Sequence, residues 1–219
     1  MNDQDYAIVV GINQYPRLPV LHAALADATR FAEWLKLPTG GGLPEGNVKL
    51  ICGPETLPPT GVDMVGPIQE QIDDHLSQIG VELNQRIGRR LYFYFAGHGF
   101  GPSFDEVGML MAHASQTLLK RNIGLARYRR YFREHALFDE VIFIVDCCRD
   151  RAGGIETAGP EFTVAADGPV GRVLDLTIMA AAYGEKAFEV RSDNGTAIEP
   201  RGLLTTCLLY TSPSPRDRS

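Results

Sequence analysis

Short apolar runs punctuate this chain, and between them apolar residues recur at helical spacing. Tyr6-Ala7-Ile8-Val9-Val10-Gly11-Ile12 is continuous, rich in β-branched residues, and closed by Asn13 and Pro16. That is the pattern of a strand buried on both faces. From Leu21 to Leu37 the apolar positions Leu21, Ala24, Leu25, Ala28, Phe31, Ala32 and Leu35 fall three and four apart, which predicts a helix with one buried stripe. Gly40-Gly41-Gly42 ends that unit. Val48–Cys52 predicts a second strand, and Ile68, Ile72 and Leu76 mark a helix from about Val65 to Ile79.

The same alternation continues. Arg90–Ala96 is an aromatic-rich strand candidate that runs straight into Gly97-His98-Gly99. Leu125 to Ala136 predicts a helix. Val141–Val145, the most apolar run, predicts a fourth strand and ends at Asp146-Cys147-Cys148. Val173 to Ala181 predicts a fifth. Strands separated by helices imply an α/β domain with a mostly parallel central sheet and helices on both faces. The Gly-, Ala- and Pro-rich stretch from Arg151 to Gly171 predicts a long mobile loop, and Ser192 to Pro200 a second loose stretch.

Composition narrows the class. The 219 residues, 44% of them hydrophobic, suffice for one domain with a sizeable core. A net charge of -6 argues against a nucleic-acid partner. No apolar run approaches the roughly 20 residues of a membrane span, and no signal peptide is visible at the acidic N-terminus. The four cysteines, Cys52, Cys147, Cys148 and Cys207, have neither a disulfide framework nor zinc-site spacing. No metal site is expected, and a reducing, cytoplasmic setting fits best. The polar segment at the C-terminus resembles translated adaptor or vector sequence. Residues 1–206 are therefore expected to form the domain and 207–219 a non-native tail, with the natural protein continuing differently after about Thr206. A genuine disordered tail is the other reading.

The candidate chemistry lies where two strands end. In parallel sheets, sites gather at the carboxyl ends of strands, and His98 and Cys148 each follow one. A thiol nucleophile needs a base and donors for the developing oxyanion. His98 can serve as the base, and the N–H groups of Gly99 and Cys148 can face a substrate carbonyl. Taken singly, a cysteine after a strand is more often a small buried hydrophobe. The glycines around His98 could also suggest a nucleotide loop, but no helix opens there to receive phosphate. The basic cluster from Lys120 to Arg133 reads as the solvated face of a helix.

Ala96-Gly97-His98-Gly99 and Asp146-Cys147-Cys148-Arg149 resemble the two catalytic motifs of the caspase and metacaspase superfamily. In that family the histidine precedes the cysteine by about 50 residues, and the same interval separates His98 from Cys148 here. Further matches are Ala7 to Tyr15, the helix containing Asp27-Ala28, Ile178 to Glu189, and Arg201 to Thr205, so the resemblance spans roughly residues 5–206. It implies a caspase-hemoglobinase-like fold, with the chain stopping before the last expected strand. It also implies a cysteine endopeptidase acting on protein or peptide substrates through a Cys-His dyad.

The family alignment selects Cys148 over Cys147 as nucleophile. Caspases hold a substrate aspartate with an arginine whose counterpart here is Leu21, and with a glutamine whose counterpart is Asp146. Like metacaspases, the chain is therefore expected to bind Arg or Lys through Asp146; a turn-capping role is the other reading of that carboxylate. Arg149-Asp150-Arg151 departs from the His-Ser-Gly of metacaspases and fits a bacterial-type caspase homologue equally well. Family members are often cleaved in the loop that here runs from Arg151 to Arg172, and Arg172 is an eligible basic site. No cofactor is expected; calcium activation is common in metacaspases, but no calcium loop is visible. The sequence specifies no oligomeric state. A catalytically silent caspase-like interaction module and an α/β nucleotide-binding protein are the competing readings.

Overall fold

A computed structural model describes residues 2–55, 68–80, 85–161, 171–193 and 198–211. Its centre is a five-stranded sheet. The strands are β1 (Asp5–Gly11), β2 (Val48–Cys52), β3 (Gly88–Ala96), β7 (Phe138–Asp146) and β9 (Leu174–Met179). They lie in the order β2-β1-β3-β7-β9, and every pairing is parallel. Helices α1 (Ala24–Lys36), α2 (Ile68–Gln78), α3 (Leu125–His135) and α4 (Leu203–Thr211) flank it.

Period-two alternation divides each central strand between two cores. Ala7 and Val9 of β1, with Tyr94 and Ala96 of β3, meet Ala28, Phe31 and Leu35 of α1. Ile8 and Val10, with Leu91, Phe93 and Phe95, face the opposite way and join Ile72 and Leu76 of α2 and Tyr128 and Phe132 of α3. Strands buried on both faces require apolar residues at consecutive positions, which is why these runs are continuous in the sequence. The expected α/β fold with a parallel sheet covered on both faces is the observed one.

A smaller sheet sits beside the main one. Strands β4 (Gly99–Ser103), β5 (Glu106–Leu110), β6 (Asn122–Gly124) and β8 (Asp150–Arg151) form it in the order β6-β5-β4-β8. The sequence pattern does not predict these strands, because they are short and carry glycine and proline. The loose stretch expected over Ser192–Pro200 contains two paired strands, β10 (Glu189–Asp193) and β11 (Ile198–Gly202); residues 194–197 lie outside the described residues.

The long loop expected after Arg151 is tied down through Glu161. Gly124 N–H donates to Ala158 O at 2.8 Å, and Thr157 Oγ1 donates to Glu106 Oε2 at 2.9 Å. Residues 162–170 of that loop lie outside the described residues, as do 65–67 at the start of the expected second helix. Helix α4 runs into the segment expected to be a non-native tail, and its Leu208 and Leu209 pack against the α1-side core. Residues 212–219 lie outside the described residues.

Candidate active site

The sheet register places the histidine and the cysteine. Strands β3 and β7 are neighbours, and Ala96 pairs with Asp146 at their carboxyl ends. Beyond the main sheet, β4 and β8 pair with Phe100 opposite Asp150. His98 and Cys148 fall midway between these two pairings, on chain segments that keep the same offset throughout. Both line one cleft of about 430 Å³.

His98 is half-buried and held at its far edge. Its Nε2 stands 2.7 Å from the carbonyl oxygen of Pro19. A carbonyl oxygen only accepts, so Nε2 carries the ring proton and Nδ1 of the neutral ring is the basic nitrogen.

The two adjacent cysteines differ in setting. Cys147 is 2% exposed, and burial pushes its thiol well above the usual range. Its Sγ packs against Gly99, where a β-carbon would stand 2.3 Å from the sulfur. Cys148 is half-buried, and its thiol faces the Ala187 carbonyl oxygen at 3.9 Å. Burial pushes this thiol up as well, so it is protonated at rest. Gly99 begins β4 opposite Met109; a β-carbon there would also meet the Cys148 carbonyl oxygen.

Asp146 is 8% exposed and lines the same cleft. Its Oδ2 accepts from Thr205 Oγ1 at 2.9 Å and from Thr205 N–H at 3.3 Å. With the Thr205 proton committed to the carboxylate, Thr205 Oγ1 accepts from Tyr94 O–H at 2.6 Å. These partners of the Asp146 carboxylate belong to the first turn of α4, far away in the sequence.

Two acids that the sequence did not mark as site residues share the cleft. Asp27, 2% exposed, accepts from Gly202 N–H at 2.6 Å and pairs with Arg30 at 2.5 Å. Glu189 accepts from His22 N–H at 3.0 Å and Ala23 N–H at 2.8 Å, just ahead of α1. Burial is the main cause raising the carboxyl pKa values of Asp27 and Asp146, and each is raised further by other acids of the group. Among the described residues, no Lys or Arg side chain lines this cleft, whereas Leu21 does. A signal for Asp27 was present: it sits three residues after Ala24 on the apolar stripe of α1, where an acid is out of place. Glu189 had no local signal, because its partners lie far away in the sequence.

Among the described residues, no group of three or more His, Cys, Asp or Glu side chains is arranged to hold a metal ion. No described helix is long and apolar enough to cross a membrane. A family model described as the caspase domain matches residues 4–199, which include every cleft residue named above except Gly202. Among curated proteins, no relative matches the chain.

Proposed function

The chain belongs to the caspase-domain family of cysteine peptidases, and on that premise we propose that it is an endopeptidase cutting after arginine or lysine, with His98 and Cys148 as its catalytic dyad. The observation that carries the specificity is the group of three carboxylates, Asp27, Asp146 and Glu189, in a cleft whose lining, among the described residues, has no Lys or Arg side chain. Arg30 already meets Asp27 and Glu189 is exposed, so the buried carboxylate that calls for a cation is Asp146, hydrogen-bonded to Thr205. A buried carboxylate is costly unless a cation meets it. The side chain of a basic substrate residue supplies that cation, and the guanidinium fork suits carboxylate oxygens.

The steps follow from the groups in place. His98 Nδ1 takes the Cys148 thiol proton as the sulfur attacks the carbonyl carbon. The N–H groups of Gly99 and Cys148 receive the developing oxyanion. His98 then returns the proton to the leaving amine as the C–N bond breaks. Water hydrolyses the thioester and regenerates the thiol. The Pro19 carbonyl supports this cycle by keeping the Nε2 proton in place and stabilising the imidazolium.

The resting thiol is neutral and turned toward Ala187. Attack therefore requires the sulfur to turn toward the substrate carbonyl while the proton passes to His98. The test is turnover of Arg-, Lys- and Asp-terminated fluorogenic peptides by the full chain, with Asp146→Asn beside it. Arg and Lys peptides are expected to be cut, with the Asp146→Asn variant losing about tenfold or more in kcat/KM, the scale of one lost buried ion pair. Preference for the Asp peptide contradicts the reading.

A further inference from the structure

The loop between β1 and α1 reaches His98 twice, and only one of those contacts comes from Pro19. The other comes from Tyr15, which is 1% exposed. Its ring stands edge-on to the imidazole, with centroids 4.9 Å apart and planes at 62°. Its hydroxyl accepts the backbone N–H of His98 at 3.0 Å and donates to the Leu110 carbonyl oxygen at 3.3 Å. Leu110 N–H in turn donates to the His98 carbonyl oxygen at 2.9 Å. The backbone on both sides of the His98 α-carbon is thus fixed, and one phenol fixes the N–H side while packing against the imidazole.

Gly97 makes the approach possible. A β-carbon there would stand 2.4 Å from the Tyr15 hydroxyl. Burial pushes the phenol far above its usual pKa, so the hydroxyl keeps its proton to give to Leu110. A phenol has one proton to donate and lone pairs to accept with, and here both capacities meet backbone groups.

We propose that Tyr15 is a positioning residue for His98, holding the imidazole in the cleft through its hydroxyl and ring while Pro19 holds the Nε2 proton. The proposal rests on His98 being the catalytic base. It explains why a tyrosine outside the cleft lining is wholly buried with its hydroxyl spent on the histidine backbone. Misplacing a catalytic group by about 1 Å can cost on the order of 100-fold.

Imidazole 15N spectra of the full chain test it, with the His98 signals assigned by their loss in His98→Gln. Tyr15→Phe keeps the ring and removes the hydroxyl; Tyr15→Leu removes both. In the unmodified chain His98 is expected as the Nε2–H tautomer, with its backbone amide protected from deuterium exchange. In Tyr15→Phe the imidazole signals are expected to move toward tautomer averaging. The same variant is expected to lose roughly tenfold in kcat with KM little changed, and Tyr15→Leu to lose more.

Unchanged imidazole signals and kcat in a folded Tyr15→Phe overturn the proposal, as does an effect on KM alone. A rapidly exchanging His98 amide in the unmodified chain overturns it without any variant. If the unmodified chain cuts no peptide, the spectra and exchange still decide the role of Tyr15, and it is the endopeptidase reading that fails.

Discussion

The carboxylates of Asp27 and Asp146, from a helix and a strand far apart in the sequence, converge on Gly202. Their Oδ2 atoms stand 2.8 Å and 2.5 Å from the place a β-carbon would occupy there. Both are buried; burial is the main cause raising both carboxyl pKa values, Asp27 raises that of Asp146 further, and Glu189 adds to both. The cleft thus holds like charges that oppose folding when both are ionised.

Asp146→Asn is therefore expected to stabilise the protein near neutral pH while weakening its action on basic substrates. The sign follows from the raised pKa. A carboxyl raised in the folded state stabilises it fully below the unfolded pKa, and that contribution is lost as pH rises through the folded pKa. At pH 7 the variant escapes this loss; near pH 3 the two proteins should converge. Thermal melts at both pH values check it, with an expected gain of about 2–4 °C at pH 7, equivalent to roughly 1 kcal/mol in a chain of this size.

The Cys148 thiol is expected to resist alkylation near neutral pH. Burial raises its pKa, and only the thiolate reacts. The rate with iodoacetamide in Cys148-only variants should rise about tenfold per pH unit from pH 6 to 8. A plateau across that range would indicate a resting thiolate-imidazolium pair instead.

Glu189 ties the β10–β11 strand pair to the start of α1 through His22 and Ala23 N–H groups. Glu189→Gln keeps an oxygen acceptor there, whereas Glu189→Ala leaves both donors without it. Chemical denaturation should show Glu189→Ala less stable than Glu189→Gln by about 1 kcal/mol, the usual scale of a lost helix-start acceptor. Both should lose action on Arg peptides, because both remove a cleft charge.

Arg172 is exposed just ahead of β9, and it is the sole basic residue between Ala152 and Glu185. Incubation of the full chain is expected to yield a fragment ending at Arg172, detected by intact-mass spectrometry. Arg172→Ala and Cys148→Ala should each remain whole at this position.

The sheet was legible because burial on both faces demands continuous apolar runs, and Val48–Cys52 appears with the bounds the sequence predicts. The interval between His98 and Cys148 was legible too, and the structure gives its meaning: it is the constant offset of two parallel segments paired at Ala96–Asp146 and Phe100–Asp150. The small sheet was not legible, since Gly99-Phe100-Gly101-Pro102-Ser103 has neither strand nor helix periodicity. The hold on the histidine was not legible either. Pro19 contributes a backbone carbonyl, which has no side-chain signature, and Tyr15 looks in the sequence like one more aromatic near a turn.

The dyad is tested most directly by single-turnover trapping of the full chain with an Arg-terminated peptidyl acyloxymethyl ketone, which alkylates a thiol placed for attack. Mass spectrometry of the digest is expected to find the adduct on Cys148, greatly reduced in His98→Ala and absent in Cys148→Ala, with little labelling by the Asp-terminated analogue. An adduct on Cys147, or equal labelling of Cys148 with His98 removed, would contradict the account.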